Sequence, residues 1–285
     1  MAQPRAHALP TTEPADPLAR LLAAGRPLVM GILNVTPDSF SDGGRFIEPK
    51  IAIDHAARMA AEGADILDIG AESTRPYGGN KPVDADEEMA RLKPVLREVV
   101  ALGLPVSIDT MKASVAEWAI GQGAVIANDV WGLQRDPDMA GVVARHGVPV
   151  IVMHNRASVD PAIDIVADMI AFFERTLAIA DKAGIARHKL VLDPGIGFGK
   201  STPDQSLEAL AHVDRLKKTF DLPVLVGASR KRFIDAIRPA PPDQRIGGSI
   251  AAHLVAVQKG AAIIRSHDVA ETVQALAVMA AIGAK

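Results

Sequence analysis

The stretch Leu28-Val29-Met30-Gly31-Ile32-Leu33-Asn34-Val35-Thr36-Pro37-Asp38-Ser39-Phe40-Ser41-Asp42-Gly43-Gly44 decides the fold. It opens as an apolar run with the continuity of a strand buried on both faces. Within a few residues of Asn34 it becomes a polar loop closed by paired glycines. An open, doubly wound sheet would put a glycine-rich turn here, leading straight into a helix. The chain instead has a long acidic loop, with Asp38 and Asp42 flanking a lone aromatic, Phe40. A loop that only joins two elements has little use for an aromatic tip between acids, so this one reads as a lid over a ligand.

Outward from this stretch, short apolar runs recur at 28–35, 66–70, 105–109, 125–128, 148–153, 189–192, 223–227 and 262–264. Helical patterns fall between them at 51–62, 84–102, 114–122, 137–146, 164–183, 205–220 and 249–259, and a last one at 270–281 closes the chain. A short helix at 18–23 precedes the first run. Alternating β and α implies a parallel sheet, and eight units imply closure into a single (β/α)₈ TIM barrel of the α/β class, spanning 17–285. The first 16 residues, rich in Pro, Thr and Ala, carry no apolar core of a signal peptide and read as a flexible tail.

Composition narrows the function. The chain has 285 residues, is 48% hydrophobic and carries a formal net charge of −3 with no basic run, which argues against a general nucleic-acid or membrane-surface binder. There are no cysteines, so disulfides and thiolate metal sites are excluded. No stretch reaches the roughly 18 unbroken apolar residues of a membrane span, and a cytoplasmic protein is expected.

A barrel of this kind works at the C-terminal ends of its strands. The polar residues there are Asn34, Glu72 with Thr74 and Arg75, Asp109, Asn128, His154, Asp193, Ser229 with Lys231, and Arg265 with His267. Side chains alternate along a strand, so Ile32 with Asn34, Ser107 with Asp109, Ile126 with Asn128, Val191 with Asp193, and Ile263 with Arg265 each share a face. Taken singly, each has an ordinary explanation. Asp193-Pro-Gly makes a turn, Asp109 or Thr110 caps a helix, and Lys231, Arg265 and His267 form a surface ion-pair cluster. That all eight ends are polar favours a convergent rim. The acceptors Asp109, Asn128 and Asp193 suit a flat ring with several N–H donors. The cations of strands seven and eight suit a phosphate.

Two look-alikes fail. In Gly195-Ile-Gly-Phe-Gly-Lys-Ser201, a nucleotide P-loop would need its first glycine at Pro194, and Lys200 occupies the place of the third glycine of a dinucleotide fingerprint. Met153-His154 lacks the histidine or carboxylate spacing of a zinc site. A hard cation held by Asn34 and a bound phosphate is consistent with the residues, because magnesium needs few protein ligands beside phosphate.

With these motifs assembled, the chain resembles the dihydropteroate synthase family from 27 to 276. The resemblance rests on Met30 to Gly44, Asp68-Ile-Gly with Glu72-Ser-Thr-Arg-Pro76, Ser107-Ile-Asp-Thr110 and Asn128-Asp129. It continues through Asp193-Pro-Gly with Gly197-Phe-Gly-Lys200, Ser229-Arg-Lys231 and Arg265-Ser-His-Asp268. The resemblance implies a transferase that joins 6-hydroxymethyl-7,8-dihydropterin diphosphate to 4-aminobenzoate, releasing pyrophosphate and 7,8-dihydropteroate for folate synthesis. It implies that Asp109, Asn128, Met153, Asp193, Phe198, Gly227, Lys231 and Arg265 hold the pterin. Asn34 would hold Mg²⁺. Arg75, Arg265 and His267, with Asn34, would grip the diphosphate, and Phe40, Thr74, Pro76 and Lys231 would frame the aminobenzoate. Asp109, Lys231, Asp38 and Asp42 would be catalytic, in a dissociative mechanism, and the protein would be a homodimer. The chain departs from the family pattern at Arg232, where many members carry serine, and at Tyr77, where glycine is common. Two rivals share the pocket: a corrinoid-dependent methyltetrahydrofolate methyltransferase, which needs neither lid nor anion site, and a non-catalytic pterin-binding paralogue, which should have lost rim residues.

Overall fold

In the computed structural model, which describes residues 16–36, 47–72 and 83–284, β1 (Leu28–Asn34) lies between β2 (Ile66–Gly70) and β8 (Ile263–Ser266). From β2 the parallel ladder runs through β3 (Val106–Asp109), β4 (Ile126–Asp129), β5 (Val150–Met153) and β6 (Leu190–Asp193). On the other side β8 pairs with the two-residue β7 (Leu225–Val226). The ring closes between β6 and β7 through one bridge, Leu192 opposite Val224, with the Leu192 amide donating to the Pro223 carbonyl at 2.9 Å. The expected eight-stranded parallel barrel is therefore found. Asp38, Phe40, Asp42, Thr74, Arg75 and Pro76 lie outside the described residues, as does the expected tail up to residue 15. Asp16, expected to belong to that tail, caps the first helix (Pro17–Leu22), its carboxylate accepting from Leu18 N at 2.9 Å and Ala19 N at 3.1 Å.

One side-chain parity fills the barrel. Leu28, Met30, Ile66, Ile126, Ile151, Val191, Leu225 and Ile263 form a single apolar cluster, and Leu18 packs onto it from the first helix. The other parity faces outward beneath the helices. Val29, Leu33, Leu67, Ile69 and Ile108 meet Ala52, Ala56 and Met59 of the helix Ile47–Ala61, together with Leu92, Leu96 and Val99. Burial on both faces is why the strands read as unbroken apolar runs.

Two helices read as continuous are divided. The segment 84–102 forms Ala85–Leu92 and Leu96–Val100. Pro94 lies between them, and its ring and missing N–H cannot continue a helix. The segment 205–220 forms Pro203–Ala211 and Val213–Phe220, parted at His212 (φ −110°, ψ 22°) with no proline or glycine to signal it. A short helix, Arg232–Ile237, also precedes the proline-rich loop.

Candidate active site

The inward parity that is apolar lower in the barrel turns polar toward the C-terminal ends of the strands. Asp68, two residues after Ile66 on β2, is fully buried. Arg265 on β8 donates through Nε to Asp68 Oδ2 at 2.6 Å and through Nη2 to Asp109 Oδ2 at 2.8 Å. Asn128 on β4 donates from Nδ2 to Asp68 Oδ2 at 3.1 Å. One guanidinium thus serves two carboxylates, leaving the cluster a net negative charge. Gly70 makes room for it, since a Cβ there would stand 3.2 Å from both Cβ and O of Asp109.

The polar accounting of this cluster does not close. Asp109 Oδ1 is buried and has no partner among the described residues. A buried acceptor without a donor is costly. Burial, and then the charge of Asp68, push the Asp109 carboxyl up to about 7 against the opposing pull of Arg265. Asp193 is likewise raised, chiefly by burial, against the hydrogen bond from Gly195 N to its Oδ1 at 2.8 Å. That bond is the turn chemistry expected of Asp-Pro-Gly, so turn and site use the same carboxylate. Asp109 is not a helix cap: Lys112 holds that position for the helix Ala113–Gly121.

All eight residues expected to hold the pterin line one cleft, together with Val130, Gly195 and Ile196. Lys231 Nζ sits 4.1 Å from the centroid of the Phe198 ring, a cation–π contact. The turn before Lys231 is held firmly. Arg230 adopts a left-handed conformation (φ 57°), pairs with Asp268 through Nε at 3.1 Å, and donates its amide to Ser249 Oγ at 2.9 Å. His267 stands beside this turn, its Nδ1 3.0 Å from Ser229 Oγ, but it does not line the cleft. Arg265 is half-buried between carboxylates and is no part of a surface ion-pair cluster; the flanking Asp68 and Asp109 outweigh the burial that opposes its charge. Asn34 is half-buried at the mouth of β1, and its side chain makes no hydrogen bond among the described residues.

Glu72, just beyond the end of β2, is anchored as well. Val83 N donates to Glu72 Oε1 at 3.1 Å, and Lys112 Nζ bridges Glu72 and the fully buried Glu88 at 2.6 Å each. A wider surface depression beside Trp131, Arg156 and Arg175 contains none of the strand-end acceptors of the cleft.

Asp68 is the residue that the strand-end reading missed. It stands one pleat below the end of β2, and the signal was present in its parity with Ile66 and Gly70.

A family model described as pterin binding enzyme matches residues 30–267. The dihydropteroate synthase of Bacillus subtilis is 45% identical over 258 residues, covering 90% of this chain and 88% of its own. A solved structure of Xanthomonas albilineans dihydropteroate synthase with 4-aminobenzoic acid is similar at a TM-score of 0.87 and 46% identity, covering 91% of this chain and 94% of that one. The same organism's enzyme in complex with 7,8-dihydropteroate gives 0.83 and 44%, covering 91% and 95%. A cluster of buried acceptors at the mouth of a parallel barrel, matched along nearly its whole length by these proteins, places the chain in the pterin-binding enzymes, as a member of the dihydropteroate synthase family.

Proposed function

We infer that this chain is a transferase of folate synthesis that joins 6-hydroxymethyl-7,8-dihydropterin diphosphate to 4-aminobenzoate, giving 7,8-dihydropteroate and pyrophosphate. The observation that carries the reading is Asp109 Oδ1, buried and without a partner among the described residues, in a cleft lined also by Asn128 and Asp193. Such a slot favours a flat ring edged with N–H donors. The pterin 2-amino and N3–H groups suit Asp193, and its 4-oxo group suits a donor from Lys231. Met153, Phe198 and Gly227 supply the apolar walls, and Arg265 closes one face.

Departure of the diphosphate leaves positive charge on the pterin methylene, and the carboxylate of Asp109 stabilises it from a fixed position. Asp38 and Asp42 would add to this field. The arylamine then attacks directly, so no nucleophilic side chain is required. Lys231, with Phe40, Thr74 and Pro76, frames the aminobenzoate, and Arg75, Arg265 and His267 receive the diphosphate. Magnesium fits the donor set at one point, the side-chain amide of Asn34, which makes no hydrogen bond among the described residues and would hold the ion together with the diphosphate oxygens. The ion's chemistry there is to neutralise charge on the leaving group.

The reading is tested with purified protein, both substrates and Mg²⁺, following pyrophosphate. Folded protein that binds pterin but releases none would sink it.

The same proposal includes a homodimer acting in the cytoplasm. The helices Ile246–Gln258 and Val269–Gly283 are apolar nearly all round and expose Val255, Val278 and Ile282. A second copy of the chain is the cover we propose for this face. Light scattering on wild type and on Val278→Asp checks it, with a monomeric wild type counting against the dimer. Fractionation of cells producing the protein checks the compartment. Among the described residues no helix is long and apolar enough to cross a membrane.

A further inference from the structure

Lys200 belongs to no part of the chemistry above, yet it is one of the most deeply placed cations in the molecule. It is only 4% exposed. Its ammonium donates to the Gly195 carbonyl at 2.7 Å and the Phe198 carbonyl at 3.0 Å, and lies 3.1 Å from His154 Nδ1. Three N–H groups therefore meet three acceptors. The other ring nitrogen of the buried His154 is 2.9 Å from Asp168 Oδ2. This sets the tautomer: Nε2 carries the proton toward the carboxylate, and Nδ1 accepts from Lys200. Asp168 is held in turn by Arg156 Nη1 at 2.6 Å. The network is closed, and it ends on the loop that forms one wall of the cleft.

That loop would otherwise be loose. Gly195, Gly197 and Gly199 all have positive φ (63°, 82° and 60°), a run that gains its shape from lacking side chains and is correspondingly free. Lys200 ties the start and end of this run together by gripping the carbonyls of 195 and 198. The Phe198 ring is thereby set under Lys231. We propose that Lys200 is a positioning residue for pterin binding, acting through Phe198 and the Asp193–Gly195 turn. A buried lysine is an expensive way to fill space. Burial first, and the nearby cations Lys231 and Arg156, bring its pKa down to about 7 against the pull of Asp193 and Asp168, and a methionine of equal reach would pack without that penalty. The proposal rests on the reading that Phe198 lines the pterin slot.

The test measures binding of 6-hydroxymethylpterin by calorimetry to wild type, Lys200→Met, Phe198→Ala and the double variant. Each single change is expected to weaken pterin binding about tenfold. The double variant should be no more than twofold weaker than either. If Phe198→Ala binds pterin as wild type does, the site reading itself fails. If Phe198→Ala weakens binding while Lys200→Met stays within twofold of wild type, or if the two losses multiply, the positioning role fails alone. Should Lys200→Met not fold, nitrogen-15 NMR of lysine side chains in wild type decides. A slowly exchanging ammonium coupled to His154 and shifted by the pterin is expected; no protected lysine signal, or one indifferent to the ligand, overturns the proposal.

Discussion

The barrel interior holds two layers built by one rule and opposite in character. Below, Leu28, Met30, Ile126, Ile151, Val191 and Ile263 pack against one another and Leu18. Above, on the same inward parity of β2, β3, β4, β6 and β8, stand Asp68, Asp109, Asn128, Asp193 and Arg265. The lower layer is apolar apart from the buried Ser107 of β3. The upper layer keeps a buried oxygen without a donor among the described residues. Stability is concentrated where packing closes, and binding where it does not. That division suits proteins whose working sites are less than optimal for folding.

The sharpest way to break this comparison is Asp109→Asn. Loss of a fixed charge aimed at the reacting centre should lower turnover by about a hundred- to a thousandfold, while pterin affinity changes only a few-fold. Single-turnover kinetics beside direct binding would show it, and equal losses in both would refute a charge-stabilising role. Ile151→Ala makes the converse change. It should cost about 2–5 kcal/mol of stability as a buried large-to-small substitution, measured by urea unfolding, with turnover within twofold of wild type.

Acidity separates the layers a third way. Because Asp109 is pushed up to about 7, turnover should fall as pH drops through 7 and the carboxylate is protonated, and Asp109→Asn should flatten that limb. The linked stability effect has the opposite direction. A carboxyl whose folded pKa lies above its usual 3.8 contributes stability below about 3.8 that is lost as pH rises through about 7. The asparagine variant should therefore outlast wild type at pH 8 and lose that advantage near pH 4, as paired denaturation curves would report. The smallest effect belongs to Leu18→Ala at the floor of the barrel, where about 2 kcal/mol is expected at the lower end for such a change, with no change in activity.

The strands were legible because burial on both faces leaves a continuous apolar signature. The strand-end acceptors were legible because parity projects Asp109, Asn128 and Asp193 to one side. Three features escaped for physical reasons. Pro94 lies inside a pattern whose periodicity runs straight through it, so counting apolar positions alone hides the break. Asp68 reads as part of a strand interior, where a carboxylate makes sense only once Arg265, distant in sequence, is seen beside it. Lys200 was weighed only against nucleotide motifs. Its true partners are two backbone carbonyls and a histidine contributed by the preceding strand–loop unit, which composition and spacing do not encode.

The seam between β6 and β7 has a consequence for where the barrel wall is held least tightly. Seven parallel ladders stitch this cylinder, and a single bridge at Leu192 and Val224 completes it. A ring so unevenly sewn has one line along which it parts most readily. The chain carrying Asp193 and Phe198 leaves the sheet on one side of that line, and the turn carrying Lys231 leaves on the other. Native-state amide exchange should therefore be fastest at Leu192 among the paired residues of β6.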